Sequence, residues 1–206
     1  MTPRLLVAAL LGALLGLFSA RGDGVQVMVV NGLANAASPW IVTAFIAGAL
    51  QPSPRLGAVA GAIALLVAVA VYYAGFLMDG ATFVVPFLAL WAIAGALCGV
   101  LMGVAGGAWR TNRTRWGTPA VALISGLLLA EAGHRLILLQ IWTGIEWDRT
   151  YMQVAVADII GAALALLLLN RAAWRLAAIL IPLVGFAGLA VLSAGDAILG
   201  LAAGVP

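Results

Sequence analysis

Lysine is absent from the 206 residues, histidine and cysteine occur once each, and charged side chains make up only 8%. A soluble domain carries about 25% charged residues, so this chain cannot furnish an ordinary water-facing surface. The single cysteine, Cys98, excludes an intrachain disulfide and any thiolate metal cage. Nucleotide-binding loops, zinc motifs and nucleophile elbows are also missing. The expectation is therefore a protein that is not an enzyme, with no catalytic set, no cofactor and no metal. What is present is apolar: 65% of residues are hydrophobic and the mean hydropathy is +1.18. Long apolar runs broken by short polar clusters exclude a soluble enzyme, a disordered chain and a nucleic-acid-binding domain. The pI of about 9.8 comes from ten arginines against seven acids. Those arginines fall mostly between the apolar runs rather than on a basic face, so they bear on membrane orientation and not on nucleic acid.

The fold class that follows is an all-α integral membrane protein, one polytopic helix bundle over residues 1–206 with about seven spans. A crossing needs about 20 apolar residues. The candidates are 5–20, 25–50, 56–77, 82–109, 119–142, 151–169 and 174–192, with six as the fallback because the last is least secure. The first could pass for a signal peptide, but Phe18 spoils the small-residue cleavage pattern, and it is read as a span. The second is predicted to break or kink at Pro39, where Ser38 is a candidate cap and proline suits a first helical turn.

Orientation follows from arginine counting. Arg4, Arg55, Arg110, Arg113, Arg115, Arg171 and Arg175 share the amino-terminal side, against Arg21 and Arg149 with five acids on the other. The expected location is a bacterial plasma membrane, with the amino terminus cytoplasmic and the carboxyl terminus outside.

Gly95, Gly99, Gly103 and Gly107 recur every four residues, and Gly12/Gly16 and Gly57/Gly61 add GxxxG pairs. Small residues let helix backbones approach closely in lipid. The glycine face serves either packing within one bundle or a seam toward a second copy or another membrane subunit.

Two polar sets remain inside the apolar runs. Glu131 and Arg135 are four apart in the fifth span, with His134 beside them, and Asp158 lies in the sixth. Ionised groups in hydrocarbon are costly and call for partners. Hairpin symmetry about residues 146–147 sets Asp158 level with Arg135, which would then bridge both acids as a structural clasp or as a solute or cation site. Asn31, Asn35 and Ser38 share one face before the Pro39 break, and broken helices beside polar groups line substrate cavities in transporters. The same amides could instead satisfy backbone groups freed by the proline.

The stretch Gly32-Leu-Ala-Asn-Ala-Ala-Ser-Pro-Trp40, then Ala44-Phe-Ile-Ala-Gly-Ala49, Tyr72-Tyr73, Gly103–Trp109 and Leu129-Ala-Glu131, resembles a family of small actinobacterial integral membrane proteins of unknown function. The likeness covers roughly residues 5–140. It implies that Asn35, Ser38, Pro39, Trp40 and Glu131 belong to a family pattern, and it implies no activity.

The leading functional expectation is a protein that binds or transports a small solute through an outward-facing cavity lined by Asn31, Asn35, Ser38, Glu131, His134, Arg135 and Asp158. Its partners would be the lipid bilayer and the solute or cation itself. The alternative is a non-catalytic assembly subunit docking through the Gly95/Gly99/Gly103/Gly107 ridge.

Overall fold

Proline, glycine and short polar clusters mark most of the helix boundaries. The computed structural model describes residues 3–80, 85–113, 115–138, 149–169 and 173–202, and the description excludes the side chains of residues 137–138, 149–150 and 196–202. The described residues form helices joined by turns, with no strand among them. In chain order these are α1 (Pro3–Gly22), α2 (Met28–Ala34), α3 (Ser38–Ala49), α4 (Pro54–Met78) and α5 (Val85–Thr111). They continue with α6 (Gly117–Gly133), a π-helical turn (His134–Leu138), α7 (Arg149–Leu166) and α8 (Trp174–Ala202).

Seven spans, or the fallback of six, are not supported. Among the described residues four helices are long and apolar enough to cross a membrane: α1, α4, α5 and α8 as far as Gly195. The pair α2–α3, bent by 59°, makes a fifth if it is one broken span. The predicted fifth and sixth spans fall short for separate reasons. The α-helix of α6 stops at Gly133 and gives way to the π-turn. Apolar character in α7 covers only Tyr151–Leu166, about 24 Å at 1.5 Å per residue. The rest of the predicted 119–142 span and the connection centred on residues 146–147 lie outside the described residues. At the carboxyl end the helix passes the predicted stop at Leu192, where the Ser193 hydroxyl donates back to the Leu189 carbonyl at 2.8 Å. That bond satisfies the serine locally and lets the helix continue.

The chain divides into two compact units, Met1–Ala120 and Val121–Pro206. In the first, α4 packs against α1, α3 and α5. Its start is capped by Ser53, whose hydroxyl accepts from the Leu56 amide at 3.3 Å, and Pro54 fills the first turn. Glycine and alanine set the spacing. A Cβ at Gly12 or Gly16 would run into the backbone of Ala64 or Ala68, and one at Gly103 into the Gly57 carbonyl. Contacts this close require residues without side chains on the touching faces.

The ends of this unit are sorted by charge. Gln51 Nε2 donates to the Arg4 carbonyl at 3.3 Å, and Arg110 Nη1 to the Ala49 carbonyl at 3.4 Å. Arg4, Arg55 and Arg110 therefore share one end, where Arg113 stands 4.4 Å over the Trp109 ring. Asp23 meets Tyr72 at the opposite end.

The second unit packs α7 and α8 against α6 and its π-turn. The Ser125 hydroxyl donates to the Ala162 carbonyl at 3.3 Å, and Leu128 would lie 3.3 Å from a Cβ on Gly161. Gly126 sits under Val184, and Ala130 under Gly188. By these pairings α7 runs antiparallel to α6, and α8 parallel to it.

Candidate functional site

The first polar set forms where the α2–α3 span breaks. Residues 35–37 separate the two helices, and α3 starts at Ser38 with Pro39 in its first turn. The expected serine cap is not made: the Ser38 hydroxyl caps nothing and is buried without a hydrogen-bond partner among the described residues. The residue ahead of it, Ala37, is itself in the right-handed helical region, so the backbone enters α3 without the extended turn that a capping serine uses.

Asparagines hold the break instead. Asn35 Nδ2 donates to the Asn31 carbonyl and Oδ1, each at 3.0 Å, and to Asp23 Oδ1 at 3.1 Å. Asn31 Oδ1 also accepts from the Gly24 amide at 3.3 Å, and the Tyr72 hydroxyl donates to Asp23 Oδ2 at 3.2 Å. Asp23 and Tyr72 thus join a set that sequence reasoning restricted to Asn31, Asn35 and Ser38. The available signal was the polar knot Arg21-Gly-Asp-Gly, which looks like a connection until folding brings it against α4. Tyr72 also stacks edge-on with Phe76, with ring centroids 5.0 Å apart.

The second set lies wholly within the second unit. Glu131 is 5% exposed, His134 9% and Asp158 2%. Arg135 Nη2 donates to Glu131 Oε1 at 3.0 Å, one helical turn apart, and its guanidinium stands 5.9 Å from the centre of the Tyr151 ring. Both basic residues of the set belong to the π-turn. A π-turn inserts an extra residue into the helical ladder and is enriched at functional sites.

Asp158 lies at a different depth from the one hairpin symmetry predicts. Pairing Ser125 with Ala162 and Leu128 with Gly161 sets Glu131, rather than Arg135, opposite residues 156–158. Relative to that expectation the two helices are shifted by about a turn. Facing stripes are also defined. Asp158 precedes Gly161 by three residues and Glu131 follows Leu128 by three, so each carboxylate shares a face with a residue at the α6–α7 contact. The small-residue face around Asp158 is present, with Ala155, Ala162 and Ala165 all buried. The candidate groups therefore fall into Asn31, Asn35 and Ser38 in the first unit, and Glu131, His134, Arg135 and Asp158 in the second.

The glycines Gly99, Gly103 and Gly107 meet Gly61, Gly57 and Pro54 of α4, and a Cβ on Gly48 of α3 would strike Gly103. Gly95 has looser neighbours, with Val69 at 3.6 Å from its would-be Cβ. The chain itself covers most of this face. Among the described residues no group of three or more His, Cys, Asp or Glu side chains is placed to hold a metal ion.

No curated protein matches this chain, and no solved structure does. Residues 1–202 match the family of unknown function (DUF6518), and the chain belongs to that family.

Proposed function

We propose that this protein sits in a bacterial plasma membrane and binds or moves a small solute, without catalysing a reaction on it. The observation that carries this reading is the burial of Glu131, His134 and Asp158, with Arg135 paired to Glu131, inside an otherwise apolar helical unit. Ionisable groups at such depth are expensive to maintain and mark solute, ion or proton paths more often than mere packing. Acid, guanidinium and imidazole together suit a small zwitterion or organic cation. The Asn31–Asn35–Asp23 set holds the broken span open at its bend, leaving solute contact to the second unit. The amino terminus is cytoplasmic, because the arginine-rich end of the first unit belongs inside.

The alternative of an assembly subunit docking through Gly95, Gly99, Gly103 and Gly107 has less behind it, since α3 and α4 already fill most of that ridge. The test is a melting-temperature screen of the detergent-purified chain against amino acids, choline and small carboxylates. At least one probe should raise the melting temperature of the wild type and leave an Arg135→Gln, Asp158→Asn double variant unmoved. A screen in which no probe discriminates the two proteins overturns the reading.

A further inference from the structure

We propose that the arginine-rich end of the first unit is a docking surface for the phosphate headgroups of anionic phospholipids. Such a surface needs a membrane around the protein but no solute site. Arg4, Arg55, Arg110, Arg113 and Arg115 are scattered along the sequence, and the fold gathers them. Gln51 Nε2 reaches the Arg4 carbonyl and Arg110 Nη1 the Ala49 carbonyl, which ties α1 and α5 to the α3–α4 turn. A Cβ on Gly107 would touch Pro54, so Arg55 stands beside the last turn of α5. Past that turn the chain folds back on itself. Asn112 Oδ1 accepts from the Arg115 amide at 3.1 Å, and a Cβ on Gly117 would lie 3.7 Å from Arg113 Cβ.

These five residues are all exposed. The acids of the unit, Asp23 and Asp79, lie at its opposite end: Asp23 meets Tyr72 there, and Asp79 closes α4, which begins at the arginine end. Within this unit, therefore, no carboxylate shares the surface with the arginines.

Two of the guanidiniums rest on tryptophan, Arg113 at 4.4 Å from the Trp109 ring centre and Arg115 at 5.3 Å from that of Trp116. The contact steadies a guanidinium without neutralising it, and its remaining N–H groups fit two phosphate oxygens at once. Apolar surface follows directly beneath the charge. Val7 and Val59 come three and four residues after Arg4 and Arg55, one turn deeper on the same helix faces, and are 43% and 47% exposed. Trp116, itself exposed, is a residue type that settles where headgroups meet hydrocarbon. A surface cationic at its rim and apolar one turn further in fits an amphiphile with an anionic head. A free anion or a soluble acidic chain has nothing to lay on the valines. Zwitterionic lipids fit less well, because their own ammonium cancels the phosphate charge that a basic cluster selects.

The test is thermal denaturation of the full chain in a neutral, lipid-free detergent, titrated with phosphatidylglycerol. The melting temperature should rise with added lipid, and rise less at high salt. Phosphatidylcholine, inorganic phosphate and polyglutamate at equal concentration should leave it unmoved. Each arginine beside an anionic headgroup layer is worth roughly fivefold in affinity. Arg55→Gln should therefore need about fivefold more phosphatidylglycerol for the same rise, and an Arg113→Gln, Arg115→Gln double variant about thirtyfold more. Arg110 is kept because it also bonds the Ala49 carbonyl. Arg21→Gln, at the opposite end of α1, should titrate as the wild type does. A wild type that phosphatidylglycerol does not move, or that phosphatidylcholine moves equally, overturns headgroup recognition. An equal response to phosphate or polyglutamate overturns a lipid partner. Variants at positions 55, 113 and 115 that titrate as the wild type does, or an Arg21→Gln variant as impaired as they are, overturn the placement at this end.

Discussion

Arg135 is the ion-pair partner of a buried acid, Glu131, in the second unit. It neutralises Glu131 directly and stands on the α6 stripe one turn from the level of Asp158. Replacing it with glutamine takes that cation from Glu131, with a second buried acid, Asp158, at a similar level on α7. Breaking a buried pair in this way costs about 3–5 kcal/mol. Arg135→Gln should therefore melt well below Glu131→Gln at pH 7 in the same detergent, and equal melting temperatures would mean that the guanidinium is solvated. At the other polar set the expected effect is smaller. Tyr72→Phe removes one hydrogen bond to Asp23 and keeps the ring stacked on Phe76. The expected loss is about 0.5–1.5 kcal/mol, read as a modest drop in melting temperature with unchanged yield. The bond between Tyr72 and Asp23, 49 residues apart, was not visible along the chain. Glu131–Arg135 was, because a spacing of four on a helix brings side chains together whatever the tertiary fold.

Helices in the first unit owe their closeness to what their faces lack. Gly99 and Gly103 of α5 lie against Gly61 and Gly57 of α4 so tightly that an added Cβ would collide with backbone. Backbone cannot move aside as a flexible side chain does, so Gly103→Leu should prevent normal assembly of this helix pair. Gly195 in α8 makes the appropriate control, since nothing lies within 4 Å of its would-be Cβ. Gly80 does not, because its φ of +73° strains any substitution there. Membrane yield and monodispersity should collapse for Gly103→Leu and hold for Gly195→Leu. The α2–α3 break shows how far element-level reading extends. Pro39 announced the interruption, yet not its 59° bend, nor the amide lacing that reaches Asp23 in the preceding turn.

At the scale of the molecule, charge sorting is the feature with the largest consequence. Hydrogen bonds tie Arg4, residues 49–51 and Arg110 to one end of the first unit, while Asp23 and Tyr72 meet at the other. Cytoplasmic retention of arginine then predicts that a cysteine introduced at Asn112, with Cys98 replaced by serine, is shielded from an impermeant thiol reagent in intact cells. A cysteine at the exposed Asp79 should be labelled. The reverse pattern would invert the proposed topology.

Composition and hydropathy alone determined that the chain is helical and apolar enough to embed in a membrane, because backbone groups in lipid must be satisfied within each helix. The strongest spans, the arginine asymmetry and the Pro39 interruption were likewise legible, since each depends on local pattern. The number of spans was not. Whether 117–138 and 149–166 complete a crossing depends on where an α-helix yields to a π-turn, and hydropathy does not register a change in helical hydrogen bonding. The depth of Asp158 was also decided only in three dimensions. Register between antiparallel helices is set by which small residues interlock, here Ser125 with Ala162 and Leu128 with Gly161, and not by the midpoint of the connection between them.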